Sequence, residues 1–409
     1  MREAWIIDAV RSPRGRGKPG VGSLSNLHPQ RCMAQVLNGL RDKTGIDPAV
    51  IEDVVLGCGT GSGDHAHDIA RMSVLDAGWP ISVTGVTLHR FCGSGQQAVN
   101  FAAMGVMSGQ QEVVIGGGVE FMSRYSPLHA NGFHANNEHL RDIRPQVPQG
   151  ISADLIATLE GFTRDDVDRY AVESQTRAMK SIEDGRFNRS LIAINNLDGT
   201  LALGRDEHPR PGTTLESLKD LQPSFAKMAG MHAEGFSRPF IDMVKQVYPK
   251  AGLLNQVHHA GNSSGVVDGA SAVLVVSPEF ARAHGLKPRA KIRQVATAGT
   301  EPLIMLTAPA PAAQRCLDKA GMKKSDIDLW EINEAFAAVV LKFMKDLDVD
   351  HSVVNVDGGA IALGHPIGAT GGMLIGTAVD QLERLDKQTA LIAMCTGGGM
   401  GTATIIERM

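Results

Sequence analysis

A local design occurs twice in this chain, 276 residues apart (from 92 to 368), and any fold must house both copies. Cys92-Gly93-Ser94-Gly95 lies over Gly368-Ala369-Thr370-Gly371, and at the same displacement Asp42-Lys43-Thr44-Gly45 lies over Asp318-Lys319-Ala320-Gly321. Each copy follows a β-branched run, Val83 to Leu88 in the first and Val353, Val354 and Val356 in the second. Each opens a stretch of small and apolar residues suited to a buried helix. A strand with a glycine cluster comes next in both, Val113 to Gly118 and Ile392 to Gly399. Matching Gly116 to Gly397 needs a displacement of 281, which implies a slip of five residues absorbed in a loop. The duplication puts a cysteine, Cys92, at one helix start and a histidine, His365 in Gly364-His365-Pro366, at the other.

Bulk properties exclude several classes. With 409 residues the chain holds two or three domains with cores of their own. A net charge of −4 without a concentrated basic face argues against nucleic-acid binding. No apolar run approaches the roughly 18 residues of a membrane span. The start, Arg2 to Asp8, has no signal or transit pattern, and Ile406-Glu407-Arg408-Met409 matches no retention or peroxisomal signal. Five cysteines are too few and of the wrong parity for a disulfide framework, so a cytoplasmic protein is expected.

Strand-like and helix-like stretches alternate in the first half: strand Ala4 to Ala9, helix Pro29 to Thr44, strand Asp53 to Leu56. Such alternation predicts an α/β fold with helices covering sheets. From about residue 121 to 257 the pattern breaks, and only one clear helix stands out, opened by Thr163 with Asp165 and Asp166 in its first turn. This stretch reads as an insertion. Gly265 to Val276 returns to buried strand, so the expected organisation is a first half over 1–280 carrying the insertion, and a second half over 288–409.

A thiol attacks as its thiolate, and a helix N-terminus offers free N–H groups and partial positive charge that favour the anion. Cys92 is therefore a candidate nucleophile with a depressed pKa, although a lone cysteine is more often a small core residue. The matching helix start with His365 tips the balance, since an imidazole there can take the proton and return it. Cys395 ends a buried strand before Gly397-Gly398-Gly399-Met400-Gly401. It is either structural or a proton carrier for a carbon acid. The glycine run lacks the spacing of a dinucleotide loop and suits an oxyanion hole. Asn333, after the strand Ile327 to Ile332, could hold a catalytic water. Cys58, His65 and His67 have loosely metal-like spacing but no second pair, so no metal is expected; His258 and His259 read as loop-shaping.

Taken together, Cys92-Gly93-Ser94-Gly95, Gly116-Gly117-Gly118-Val119-Glu120, Ala260-Gly261-Asn262-Ser263-Ser264-Gly265, Asn333-Glu334-Ala335-Phe336, Gly364-His365-Pro366 and Cys395-Thr396-Gly397-Gly398-Gly399 resemble the thiolase family across nearly the whole chain. The resemblance implies a duplicated five-layer α-β-α-β-α fold with a loop domain inserted in the first half, assembled as a homodimer or homotetramer. It implies acyl transfer between coenzyme A thioesters, with Cys92 as nucleophile, His365 activating it and Cys395 exchanging the α-proton. Backbone N–H groups of Cys92 and Gly397 would cradle one oxyanion, and His365 with a water on Asn333 the other. Arg210, Ser217 and Phe225 resemble the family's coenzyme A contacts, with Ser264 and Met305 on the pantetheine side. The partners implied are acyl-CoA and coenzyme A as substrates, with no permanently bound cofactor.

Two departures from the short-chain biosynthetic members fall near the expected substrate channel. The stretch between Phe225 and Val257 is longer, and Pro148-Gln149-Gly150 stands where those enzymes resemble His-Met-Gly. A longer or bulkier acyl group than acetoacetyl is therefore open. Two rival readings remain at this stage: a decarboxylating ketosynthase, against which the second cysteine speaks, and a non-catalytic acyl-CoA or lipid carrier, against which the presence of Cys92, His365 and Cys395 together speaks.

Overall fold

In a computed structural model, residues 2–124, 137–233 and 236–409 are described. The insertion encloses the two internal stretches, 125–136 and 234–235, that lie outside that description. The first half supplies strands β1 (Ala4–Arg11), β2 (Asp53–Gly57), β3 (Thr84–Leu88), β4 (Val113–Phe121) and β5 (Val267–Val276). The second supplies β6 (Ala290–Gly299), β7 (Leu329–Ile332), β8 (Thr389–Thr396) and β9 (Met400–Arg408). Their order is β7-β8-β9-β6-β1-β5-β4-β2-β3, with the short strand Gly15–Arg16 added on β5. The halves join where β1 meets β6, at Ala4↔Ile292, Trp5↔Lys291 and Ile6↔Ala290.

Strand register tests the duplication directly. Asp53 pairs with Val114 in the first half and Leu329 with Ala390 in the second, both parallel and both displaced by 276. The helix ends agree, since Gly45 and Gly321 each close a helix in the left-handed conformation at φ 69 and φ 66. The expected five-residue slip is therefore wrong. Gly116 to Gly118 lie inside β4, whereas Gly397 to Gly399 follow β8 in a turn, and the two glycine runs are not equivalent. The second β-branched run also departs from expectation. His351–Val353 forms a 3₁₀ turn, and only Val354 bridges to Trp330.

Alternation along the strands sorts side chains into separate cores, as a period of two requires. Trp5, Ile7 and Val10 of β1 face an outer core with α1 (Pro29–Thr44), while Ala4, Ile6 and Ala9 face a central one. A bulge between Ile6 and Asp8 shifts the phase. On β8, Ala390, Ile392 and Met394 face the same central core, and Leu391, Ala393 and Cys395 face the opposite outer one. Between the sheets lie α2 (Ser94–Ser108), which follows Cys92, and, late in the chain, the helix Ile367–Arg384, which follows His365. The result is five layers. Polar ties cross them: Gln96 Nε2 donates to Ile392 O at 2.9 Å, and Ser271 Oγ donates to Ala369 O at 2.7 Å.

The insertion holds more helix than the sequence pattern indicated. Besides Glu138–Ile143 and Leu215–Lys219 it contains α3 (Gln149–Glu160), α4 (Arg164–Glu183) and α5 (Phe240–Val247). α4 starts as predicted, with Thr163 and Asp166 in a reciprocal capping box. α3 escaped notice because Gly150 through Ala157 are all buried, leaving no polar stripe to reveal a helical period. Among the described residues the insertion has no core to itself. Val147, Ile151, Leu155, Val167, Met243 and Val244 share one cluster with Leu303 to Leu306 and with α6 (Pro309–Ala320) and α7 (Ala337–Leu347) of the second half. The last helix, Ile367–Arg384, is α8.

α2 and α8 touch backbone to backbone. A Cβ on Gly95 would collide with Gly368 O, and one on Gly371 with Gln96 N. In an open helix, Gly→Ala gains about 1 kcal/mol of propensity. Here the backbone contact should reverse the sign. Gly95→Ala is expected to lose about 1–3 kcal/mol or more in urea unfolding, while Gly230→Ala, with nothing near its Cβ position, should stay within about 0.5 kcal/mol. Equal stability of Gly95→Ala and wild type would contradict the contact.

Candidate active site

Cys92 sits one residue before the N-cap of α2, Gly93. The chain enters through Phe91, which is held at φ 47, a conformation that costs a bulky residue about 1–3 kcal/mol. Ser94 maintains the turn: its Oγ accepts from Arg90 N at 2.8 Å and donates to Phe91 O at 2.6 Å. Gly93 packs on Thr396 and Thr402, setting the cysteine beside the end of β8. Cys92 is 6% exposed, and the Gln149 side chain, its own N–H and the Gly397 N–H act in favour of its thiolate. Burial nevertheless dominates and pushes the thiol up to about 11, with the Glu120 charge adding to the rise. The expectation of a depressed pKa from the helix start is thus not met. At rest Cys92 is a thiol and needs a base.

His365 N donates to Gly265 O at 2.9 Å, and the residue is 5% exposed. Nδ1 lies 2.6 Å from Thr370 Oγ1 and Nε2 lies 3.4 Å from Asn333 Nδ2. With the Asn333 amide as donor, Nε2 is the bare nitrogen and Nδ1 carries the proton toward Thr370. Burial, with the Arg14 guanidinium adding to it, pulls His365 down to about 3, so the ring is neutral. Asn333 N is tied to Ala393 O of β8 at 3.0 Å, and its buried Oδ1 has no hydrogen-bond partner among the described residues. A buried acceptor left open marks a place for a water or a substrate group.

Cys395 is fully buried at the end of β8, where burial raises its thiol well above the usual range; the next cause is the charge of Cys92, its neighbour. Gly397 follows two residues on, and its N–H acts in favour of the Cys92 thiolate. Two buried carboxylates brace these loops. Glu120 accepts from Gly59 N at 2.6 Å and from Gly368 N at 2.9 Å, pinning the first turn of α8. Glu334 accepts from Tyr170, Ser174, Asn355 and Ile361 N, joining α4 to the Asn333 loop and to the turn before His365.

The expected coenzyme A contacts are spread from the site to the surface. Ser264 N donates to Ala335 O beside the Asn333 loop. Phe225 packs on Gly150 and edge-on to Phe336 at 5.9 Å. Met305, at φ 58, is fully buried in the core cluster with Leu303 and Leu306. Ser217 is exposed and caps its own short helix through Thr214. Arg210 is exposed beside Gln175, Thr176 and Lys180 of α4, in a groove of about 320 Å³. Ser217 lies toward the other end of α4, where Arg164 donates to Leu218 O at 2.6 Å. His258 and His259 shape the loop as read, bonded to Asp154 at 2.7 Å and Asp168 at 2.8 Å. Cys58 approaches Glu120 and His65 Nε2 accepts from Phe121 N; no metal-ligating group of three forms among the described residues. Sequence reasoning missed Gln149, Thr370, Glu120 and Glu334 as parts of the site. All four stood inside quoted motifs, but only the folded chain aims them.

Two measurements follow from these environments. Cys92 has the smallest rise of the five buried cysteines, against about 12 for Cys32, Cys58 and Cys316. Iodoacetamide with peptide mass spectrometry should label Cys92 first, at a rate rising about tenfold per pH unit toward pH 11; earlier labelling of Cys32, Cys58 or Cys316 would overturn this order. His365 binds its proton less readily folded than unfolded. Its share of stability is therefore complete above its usual 6.5 and is lost as pH falls from there toward about 3. Urea midpoints across that window should fall less steeply for His365→Asn than for wild type, with His65, His208 and His351 shifting the same way in both.

Comparison with known proteins agrees with this geometry. Family models described as the thiolase N-terminal and C-terminal domains match residues 4–238 and 286–408. A steroid 3-ketoacyl-CoA thiolase, FadA6, of Mycobacterium tuberculosis is 40% identical over 100% of this chain and 95% of its own. A 3-ketoacyl-CoA thiolase of Shewanella oneidensis is 38% identical over 100% of both chains. Among solved structures, the Bacillus anthracis acetyl-CoA acetyltransferase superposes with TM-score 0.85 at 34% identity, covering 100% of this chain and 99% of that one. Human mitochondrial 3-ketoacyl-CoA thiolase superposes with TM-score 0.83 at 30% identity and the same coverage. With its two halves, its five layers and both domain models matched, the chain belongs to the thiolase family.

Proposed function

We propose that this chain cleaves a 3-ketoacyl-CoA with coenzyme A, or runs the reverse condensation, through an acyl thioester on Cys92. The observation that carries the reading is the backbone contact of the first turns of α2 and α8, which follow Cys92 and His365, with Cys92 close enough to Cys395 to influence its thiol and with His365 neutral and its Nε2 bare. Cys92 gives its proton to His365 Nε2 and the sulfur attacks the keto carbon. The developing oxyanion is met by preorganised N–H donors. The C2–C3 bond breaks, its electron pair forms the acetyl-CoA enolate, and Cys395 protonates C2. Coenzyme A then gives its thiol proton to the Cys395 thiolate and attacks the thioester, and the departing Cys92 sulfur recovers its proton from His365. Asn333, with its open Oδ1, holds a water against the second oxyanion.

Coenzyme A enters as a substrate in this reading, with no resident cofactor, and the cytoplasm is the compartment proposed. The acyl group is longer or bulkier than acetoacetyl: FadA6 is named for steroid substrates, and the stretch after Phe225 folds as a helical cover over the second half. The assembly is at least a homodimer. β3 is an edge strand with Val86 exposed, and Phe101 and Met104 of α2 are exposed as well. A bare apolar edge is normally covered. The matches named above are thiolases and an acetyltransferase, which leaves the ketosynthase and carrier readings without support.

A panel of 3-ketoacyl-CoAs of rising length and branching tests the activity and its acyl preference together, and absence of thiolysis across the panel would refute it. Cys395→Ser should still acquire an acyl group on Cys92 but turn over about 10²–10⁴-fold more slowly; cleavage near the wild-type rate would make Cys395 structural. Arg210→Ala should raise KM by roughly 10-fold or more with kcat little changed, and less so at high salt. An unchanged KM at both salt levels would move the nucleotide end elsewhere.

A further inference from the structure

The duplication sets a histidine and a hydroxyl five residues apart in both copies, since His89 and Ser94 stand 276 residues before His365 and Thr370. In the first copy the hydroxyl serves the backbone. Ser94 Oγ accepts from Arg90 N and donates to Phe91 O, while the His89 ring turns to Gly59 O at 2.6 Å. In the second copy Pro366 takes the place of Arg90 and has no N–H to give. The Thr370 hydroxyl is left for the histidine, and its Oγ1 lies 2.6 Å from His365 Nδ1 with both residues buried. Neither partner is free to drift. Glu120 accepts from Gly368 N at 2.9 Å, Ser271 Oγ donates to Ala369 O at 2.7 Å, and Gly371 packs on Gln96 N. The first turn of α8 is thus pinned on both sides of Thr370. His365 is tied through its own N–H to Gly265 O.

We propose that Thr370 is a positioning residue for the base: its hydroxyl accepts the Nδ1–H of His365 and holds the ring in the tautomer whose Nε2 is bare toward Asn333. The inference rests on the thiolysis reading for its effect on turnover, but not for its effect on the ring. A neutral imidazole carries one proton on either nitrogen, and the bond made by one nitrogen decides which of them stays free. On the Nε2 side, Asn333 Nδ2 stands 3.4 Å away, a longer and weaker contact than the one to Thr370. The stronger partner therefore makes the choice. A β-branched side chain is stiff at χ1, so in a pinned helical turn its oxygen is in place before substrate arrives. The reverse sense, with the hydroxyl donating to Nδ1, would put the proton on Nε2 and leave the site without a base.

Thr370→Val removes the acceptor at nearly constant shape and Thr370→Ser keeps it, with Thr370→Ala as a further variant should the first fold poorly. The first readout needs no acyl-CoA: the imidazole nitrogen NMR resonances of His365, assigned by difference against His365→Asn. Wild type and Thr370→Ser should show a protonated Nδ1 and an unprotonated Nε2, and Thr370→Val should move Nε2 toward the protonated form. The second readout is turnover of a 3-ketoacyl-CoA. In Thr370→Val, kcat should fall about 10- to 100-fold with KM within about twofold, because substrate binding is kept while the proton acceptor is lost. Thr370→Ser should recover kcat to within about threefold of wild type. A protonated Nε2 in wild type, wild-type resonances in Thr370→Val, or an undiminished kcat in that variant would overturn the proposal even if thiolysis is established. Resonances that shift as stated in an enzyme that cleaves no 3-ketoacyl-CoA would uphold the hold on the ring and refute the thiolysis reading instead.

Discussion

The backbone contact between the first turns of α2 and α8 is the constraint on which the rest of the structure depends. Gly95 lies on Gly368 O, Gly371 lies on Gln96 N, and Gly118 of β4 lies on Gly368 O from the strand side. Side chains at these positions would separate the helices, and interiors packed at crystal density absorb such a separation poorly. Because each helix follows a functional residue by a fixed short step, closing the helices on one another also fixes Cys92 relative to His365. Glu120 reinforces the arrangement, since one carboxylate accepts N–H groups from the end of the first-half sheet and from α8.

Electrostatics at the site follow from how completely it is buried. Cys92, Cys395 and His365 are all nearly inaccessible, and burial drives each toward its neutral form. A helix terminus supplies partial charge worth about 0.3–1 kcal/mol near a surface, which is small against the removal of a thiolate from water. The site therefore keeps its groups uncharged at rest, while Gln149, the Cys92 N–H and the Gly397 N–H act against burial at Cys92. Such preorganised donors act more strongly in a dry site than in water.

The insertion couples the two halves. Although its residues are inserted in the first half, its helices pack on the outer face of the second, and Glu334 binds Tyr170 and Ser174 of α4 to the loop that carries Asn333. Arg210, in the loop beyond α4, lines the surface groove along that helix. The candidate site and the insertion are thus held by one continuous core.

The sequence by itself determined the duplication, the strands Ala4 to Ala9 and Asp53 to Leu56, the helix Pro29 to Thr44 and the Thr163 cap, and it singled out Cys92, His365, Cys395 and Asn333 as candidates. These follow from local periodicity, capping chemistry and the recurrence of short motifs, all of which are one-dimensional signals. The tertiary structure alone decided the rest. It put Gly116 to Gly118 inside a strand and Gly397 to Gly399 in a turn, because strand pairing and not glycine count sets register. It revealed α3, whose buried run has no polar face to show a period. It also reversed the expected direction of the Cys92 pKa, because desolvation depends on which distant segments close over a residue.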